Sequence, residues 1–175
     1  MAEDELLGGV HPEIAHLGWL LGDWRGIGRG KYPSSEEFMF EQVIQFASDR
    51  RPFLEYRALS WIVDADLNRL HPSHVEQGYW RAAPDNGVEV MLSNPLGMCE
   101  IWTGNVEVTG LENAAITGAK LILGPHAITS SPTAARVQTA ERMYGLRDGR
   151  LLMTFDMGVG EHNPDSHVWL MLDRV

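Results

Sequence analysis

Two alternating stretches decide the fold of this chain: MFEQVIQFA at residues 39–47 and FLEYRALSWIV at residues 53–63. Aromatic and β-branched side chains recur in both at a period of two, which is the period of a strand with one buried face. Residues 49–52 separate the two stretches and include Asp49 and Pro52, which are typical of turns. The pair therefore predicts two consecutive strands of one sheet.

The same period continues along the chain from Trp24. Further strands are predicted at 77–82, 88–92, 100–103, 105–109, 119–123, 137–146, 151–157 and 168–172, with one more at 24–29. Turn residues mark 84–87, 94–97, 110–113 and 147–149. Residues 11–21 instead show helical spacing after Pro12, which predicts a short helix or 3-10 turn against one end of the fold.

About ten short strands with no room for crossover helices indicate an antiparallel meander. A closed barrel removes the exposed edges, and its interior has the size of one small ligand. We therefore predict a single all-β domain over residues 1–175, a closed antiparallel lipocalin-like barrel of about ten strands, with residues 1–10 flexible. A two-sheet sandwich is the structural alternative.

Charge and composition limit the classes of partner. The net charge of -10 and the pI near 5.1 oppose nucleic acid and anionic membranes. Residues 1–21 lack Lys and Arg, and the uncharged run 121–135 is too short and polar for a membrane anchor, so we expect a cytoplasmic protein. Cys99 is the single cysteine, which excludes an intrachain disulfide. Small molecules and proteins remain as partners.

Seven histidines are candidates for chemistry, but five of them occupy expected loop or cap positions: His11, His16, His71, His74 and His126. His162 and His167 differ because they lie in the last loop and at the start of the last strand, where a side chain can point into a barrel mouth. HxH, HExxH, CxxC and GxSxG patterns are all absent from the sequence. A closed zinc site and a serine hydrolase are therefore not expected.

The glycine-rich segment GDWRGIGRG at residues 22–30 is not a phosphate loop, because no strand precedes it, no helix follows it and it has no GK[ST]. Glycines spaced by two on a strand favour a sharp bend at a barrel corner. We expect the indole of Trp24 to plug one end of the barrel.

The residues Gly22, Trp24, Gly26 and Gly28 resemble the GxWxGxG signature of the nitrobindin family, and GKYPS at 30–34 continues in that family's manner. Further agreement comes from FEQ at 40–42, PFL at 52–54, EQGY at 76–79, residues 97–104 and His167. The resemblance covers nearly the whole chain. It implies a ten-stranded, fatty-acid-binding-protein-like barrel without a helical lid, holding a b-type haem in its mouth.

The resemblance also implies roles for particular residues. His167 matches the axial ligand of the haem iron and is thereby the catalytic residue. Ser34 matches a position near the haem, and Lys31 and Arg29 are expected to pair with the propionates. His162 is the alternative ligand, and a His167 that holds no iron is the other alternative.

A neutral imidazole suits iron. Strand parity places Trp169 and Met171 on the same face as His167, which predicts an apolar wall for the porphyrin.

The family activity implied is isomerisation of peroxynitrite to nitrate at a ferric haem, with reversible binding of nitric oxide as a second property. A homodimer is compatible with the sequence. The main alternative is a haem-free lipocalin-like carrier of a fatty acid or other apolar ligand, with Arg57, Arg142 and Tyr144 as a carboxylate clamp. A barrel filled with side chains that serves as a protein scaffold is a third interpretation.

Overall fold

Each alternating stretch forms a strand, and each strand pairs with the next one along the chain. The computed structural model describes residues 9–31, 36–134, 139–158 and 165–175. Within these ranges the chain forms a 3-10 helix, Pro12–Leu20, and ten strands: β1 Gly22–Gly30, β2 Phe38–Ala47, β3 Phe53–Val63, β4 Arg69–Ala83, β5 Gly87–Asn94, β6 Met98–Glu112, β7 Ala115–Ser130, β8 Thr139–Arg147, β9 Arg150–Gly158 and β10 Asp165–Arg174.

The strands close into an antiparallel barrel because β1 pairs with β10 as well as with β2. This seam runs from Trp24 opposite Arg174 to Gly30 opposite Val168. Closure leaves no edge strand among the described elements. The predicted barrel of about ten strands is confirmed, and the two-sheet sandwich is wrong. No helix in the described ranges has the length and apolar character needed to cross a bilayer.

The two strands predicted at 100–103 and 105–109 are one continuous strand, β6. Gly104 lies between them and pairs in register with Leu123 of β7. A Cβ atom on Gly104 would strike the backbone oxygen of Ile122. This glycine therefore allows a close approach of β7 and does not mark a turn.

The loop expected at His71 and His74 is also strand, so both histidines belong to β4. β3 keeps pairing across this stretch, with a register irregularity between Leu59 and Trp61, and Pro72 lies opposite Trp61. Bulged positions of a sheet accommodate proline, which cannot donate to a regular ladder. The polar composition of this stretch hid the strand from the sequence analysis.

The glycines of β1 make room for the side chains of neighbouring strands. β1 pairs with β2 and β10 without a register shift. A Cβ atom on Gly28 would lie 2.5 Å from Cζ of Phe40 and 2.8 Å from Cβ of Leu170. Glycine at this position therefore lets these two side chains pack directly over the β1 backbone.

One end of the barrel is closed by Trp24 and the 3-10 helix. The Trp24 indole is fully buried and donates to the Leu20 oxygen at 2.7 Å. Ile14 and Leu17 of the helix are also fully buried. The sequence prediction that Trp24 plugs one end is confirmed.

Candidate cofactor cavity

A cavity opens at the end of the barrel opposite the 3-10 helix. His16 of that helix lies 3.0 Å from the oxygen of Gly87, at the start of β5, whereas Asn94, at the end of β5, lines the cavity. The volume of the cavity is ≈ 160 Å³. Sites that surround a drug-sized ligand usually hold ~300–1,000 Å³. A large ligand therefore fits only by lying across the mouth with one edge in solvent.

The mouth of the cavity has an apolar wall built by β2, β9 and β10. Its side chains are Phe38, Phe40, Met153, Phe155, Val168 and Leu170. The rings of Phe38 and Phe40 lie over Gly30 and Gly28 of β1, with their centroids 6.0 Å apart. The glycine signature thus has a local purpose, since it lets two aromatic rings line the mouth.

The floor of the cavity is a buried ion-pair cluster of Glu76, Arg142 and Glu100, which we call the floor cluster. Arg142 Nη1 and Nη2 donate to Oε1 and Oε2 of Glu76 at 2.8 and 2.6 Å. Nη2 also donates to Oε2 of Glu100 at 3.0 Å. The exposed fractions of the three side chains are 4% for each Glu and 8% for Arg142. Solvent therefore screens these charges very little.

Aromatic neighbours complete the floor cluster. Trp102 Nε1 donates to Glu100 Oε2 at 2.7 Å, and the Tyr56 hydroxyl donates to Glu76 Oε1 at 3.2 Å. The Arg142 guanidinium lies 4.8 Å from the ring centroid of Trp102 and 4.5 Å from that of Phe155. Every contact made to the two carboxylates comes from a donor, as ionised carboxylates require.

The electrostatics of the floor cluster favour the charged form of Glu76. Burial alone would raise the pKa of the Glu76 carboxyl, but the charge of Arg142 and the contacts of His74 and Arg142 with the carboxylate outweigh burial and hold that pKa well below its usual range. Burial raises the pKa of the Tyr56 phenol, which therefore stays neutral. Two carboxylates and one guanidinium leave the floor cluster with one net negative charge.

His74 is a cavity residue that the sequence analysis missed. Its Nε2 lies 3.8 Å from Glu76 Oε2, and 39% of its side chain is exposed at the mouth. A signal was present in the sequence, since His74, Glu76 and Trp80 follow one another at even spacing and share the inward face of β4. The expectation that His74 occupies a solvated loop is wrong.

The backbone of His167 lies in β10, in a bulge between Ser166, opposite Asp156, and Val168, opposite Phe155. Its side chain lies outside the side chains that the structure describes, so the assigned role as axial ligand stays a prediction. The next residue in the chain, Val168, lines the cavity.

The predicted apolar wall of Trp169 and Met171 is wrong, because these side chains are 51% and 41% exposed on the outside of the barrel. Leu170 and Leu172 face inward instead. The bulge at His167 adds one residue to β10 and interrupts its alternation. Strand parity counted from His167 therefore does not hold for the residues after the bulge.

The residues expected near the propionates lie at the mouth end of β1. Gly30 pairs with Phe38 and Val168, both of which line the cavity, and Lys31 follows as an exposed residue. Arg29 is also exposed and donates to Glu37 at 3.0 Å. Neither cation lines the cavity itself. The positions of Ser34 and His162 lie outside the described residues.

The proposed carboxylate clamp is only partly assembled. Arg142 and Tyr144 are buried inside the barrel, but Arg57 is exposed on its outer face. The guanidinium of Arg142 is already occupied by Glu76 and Glu100. A fatty-acid carboxylate would also be repelled by the net negative charge of the floor cluster. The clamp interpretation is therefore wrong, because Arg57 lies outside the barrel and Arg142 is already paired.

Fold and cavity together define a closed antiparallel barrel that takes a ligand at one open end. A family model described as THAP4-like, heme-binding beta-barrel domain matches residues 13–174. The chain belongs to this family of haem-binding β-barrels. The resemblance to nitrobindins drawn from the sequence is confirmed.

Individual relatives match over nearly their whole length. A protein named peroxynitrite isomerase from Nocardioides sp. is 33% identical over 170 residues, 97% of this chain and 98% of that protein. A ferric nitrobindin-like protein from Thermobifida fusca is 36% identical over 181 residues, 95% of this chain and 96% of that protein. The crystal structure of Rv2717c from M. tuberculosis superposes with a TM-score of 0.83 at 31% identity, covering 95% and 99% of the two chains.

Proposed function

We propose that this protein holds a b-type haem across the mouth of its barrel, with His167 as the axial iron ligand, and isomerises peroxynitrite to nitrate. The observation that carries the proposal is the apolar wall of Phe38, Phe40 and Leu170 beside the bulge that contains His167. Family membership and the names of the relatives support the same function.

The described residues fit a haem in this position. Aromatic and aliphatic side chains suit the faces and inner edge of a porphyrin, and the small cavity volume leaves its outer edge in solvent. The net negative floor cluster repels carboxylates, so the propionates belong at the rim. Lys31 and Arg29 lie at that end of the barrel and are available to them.

A bound ferric haem supplies the redox chemistry that converts peroxynitrite to its isomer nitrate with no net transfer of electrons. The protein's residues bind and orient. His167 would hold the iron of a bound haem, and Phe38, Phe40 and Leu170 would exclude water from the buried part of the porphyrin. The family resemblance assigns Ser34 to a position near the haem, from which it would hydrogen-bond a ligand of the iron. The same open site admits nitric oxide, which we propose as a reversible ligand.

The first experiment is a hemin titration of the apo protein, followed by absorption, with wild type, His167→Ala and His162→Ala. We expect a sharp Soret band in the wild type that weakens or shifts in His167→Ala and is unchanged in His162→Ala. His126→Ala is the matched control, because His126 is exposed on β7 away from the cavity.

The activity is tested by stopped-flow mixing of the ferric protein with peroxynitrite and measurement of nitrate. We expect faster decay and a higher nitrate yield with the wild type than with His167→Ala. Only a broad spectrum of free hemin in the wild type would overturn the haem proposal. A normal Soret band with no acceleration of peroxynitrite decay would overturn the isomerase proposal alone.

A further inference from the structure

The floor cluster holds more negative than positive charge in a place where water cannot compensate it. Glu76 is matched by Arg142 through two hydrogen bonds, at 2.8 and 2.6 Å. Glu100 receives one contact from the same guanidinium, at 3.0 Å, and one from the neutral indole of Trp102. The two carboxylates therefore share the single positive charge of Arg142, and Glu100 has the weaker share of it.

The other polar groups around the cavity do not remove this charge. Tyr56 is a neutral phenol, and the cations Lys31 and Arg29 do not line the cavity. His74, at 3.8 Å from Glu76, is the one further ionisable group among the described lining residues, and it is exposed to water at the mouth. The two carboxylates and the one guanidinium of the floor cluster themselves sum to one net negative charge.

We infer that Glu100 sets the oxidation state of a metal bound in this cavity, by stabilising a cationic ferric centre over a neutral ferrous one. This inference rests on the proposed haem binding and concerns the regulation of that same site. A ferric porphyrin core carries one more positive charge than a ferrous core, and a buried negative charge on one side of the cavity favours the former. Reduction adds one electron to the iron, and the fixed charge of Glu100 opposes it.

The size of the effect follows from Coulomb's law. At an effective dielectric constant of about 20, a unit charge has to lie within about 12 Å of the metal to change a one-electron equilibrium by tenfold or more. For the proposed reaction this bias is useful, because isomerisation needs the ferric state and consumes no reductant. Glu100 acts through the field at the metal and is a positioning residue.

The test is a redox titration of the haem-loaded protein with mediator dyes, in which absorption reports the ferrous fraction at a fixed solution potential. Glu100→Gln removes the charge, while the side-chain oxygen still accepts from Trp102 and Arg142. Glu107→Gln is the matched control, because Glu107 lies on the same strand and is exposed on the outside. We expect a ferrous-to-ferric ratio about tenfold higher in Glu100→Gln, or about 59 mV, and no change in the control.

A second measurement compares the affinities for two porphyrins and requires no reduction of the iron. Zinc protoporphyrin has a metal centre without net charge, so the ratio of hemin affinity to zinc protoporphyrin affinity should fall about tenfold in Glu100→Gln and stay constant in Glu107→Gln. If Glu100→Gln does not fold, Glu76→Gln removes one charge from the same cluster and is expected to shift both readouts in the same direction.

The outcomes separate the two proposals. A wild type without a Soret band overturns the haem proposal and this inference together. A wild type and Glu100→Gln that both bind haem, with equal potentials and equal affinity ratios, overturn the inference and leave the haem proposal intact.

Discussion

Two charged clusters of three residues each lie one inside the barrel and one on its outer face, and their net charges are opposite. The floor cluster has two carboxylates around one guanidinium. The outer cluster has one carboxylate, Glu41, between two guanidinium groups, Arg25 and Arg69. The Arg25 and Arg69 side chains are 54% and 41% exposed, whereas Arg142 inside is 8% exposed.

The comparison shows that exposure decides what an ion pair does for the protein. In the outer cluster the Glu41 side chain is itself only 8% exposed, but water reaches and screens its two guanidinium partners, and Arg69 also lies 3.7 Å from the Trp61 ring centroid. In the floor cluster each charge has lost its hydration and depends on its partner. We expect the loss of one outer arginine to cost little, because the other still pairs with Glu41, whereas the loss of Arg142 leaves two buried carboxylates without a guanidinium partner.

The largest effect is expected from Arg142→Met, which keeps the side-chain length and leaves two buried carboxylates without their cation. Breaking a buried pair in this way costs about 3–5 kcal/mol. Urea unfolding should show this loss, and Arg25→Met in the outer cluster should cost about 1 kcal/mol or less. Equal losses of unfolding free energy in Arg142→Met and Arg25→Met would contradict the expected difference between the floor cluster and the outer cluster.

An intermediate effect is expected from pH. The pKa of Glu76 is lower in the folded protein than its ordinary value of 4.5, since Arg142 and His74 together outweigh burial. A carboxyl of lowered pKa stabilises the fold above its unfolded pKa, and that contribution is lost as the pH falls below about 4.5. The free energy of unfolding should therefore decrease steeply in acid.

The variants Glu76→Gln and Glu41→Gln test which carboxyl causes this decrease of the unfolding free energy in acid. Hydrogen bonding to Arg69, followed by Arg25, also lowers the pKa of Glu41, with burial opposing. Because the outer arginines are half-exposed, we expect Glu41→Gln to flatten the pH dependence of the unfolding free energy slightly and Glu76→Gln to flatten it clearly. An unchanged slope in Glu76→Gln would show that its carboxyl does not carry the acid dependence.

The smallest effect is expected from salt on the outer cluster. Glu41→Gln should lose about 0.5–1 kcal/mol at low ionic strength, and this difference from the wild type should shrink in about 1 M NaCl, where screening extends over only about 3 Å. Thermal unfolding at both salt concentrations measures it. A difference that persists in high salt would mean that the outer cluster is protected from solvent as the floor cluster is.

The barrel could be predicted because each of its strands is indicated by residues that are close together in the sequence. Each strand shows its own period of two, and turn residues separate the strands, so the order of pairing followed from short connections. Trp24 at the closed end was predictable for the same reason. The prediction of two strands in place of β6 was wrong because Gly104 allows close approach of the neighbouring strand. A glycine in the sequence can mark either a turn or such a close approach, and the residue type alone does not distinguish them.

The cavity was less predictable because its groups meet only in the folded barrel. Glu76, Glu100 and Arg142 come from three strands, and the sequence shows only that each has an inward position among apolar neighbours. Arg142 was identified as an interior cation, but its partners were not. The face of Trp169 was wrong because a one-residue bulge leaves no mark in the pattern of residue types.

The seam between β1 and β10 has a consequence for synthesis on the ribosome. Trp24 pairs with Arg174, so the first strand finds its second neighbour only after almost the whole chain has emerged. Until then the nascent sheet has two open edges that other chains can pair with. Arg174 then lies over the Trp24 ring, 4.1 Å from its centroid, and bonds the oxygens of Trp19 and Leu21. The strand that completes the barrel, β10, is therefore synthesised after the other nine strands.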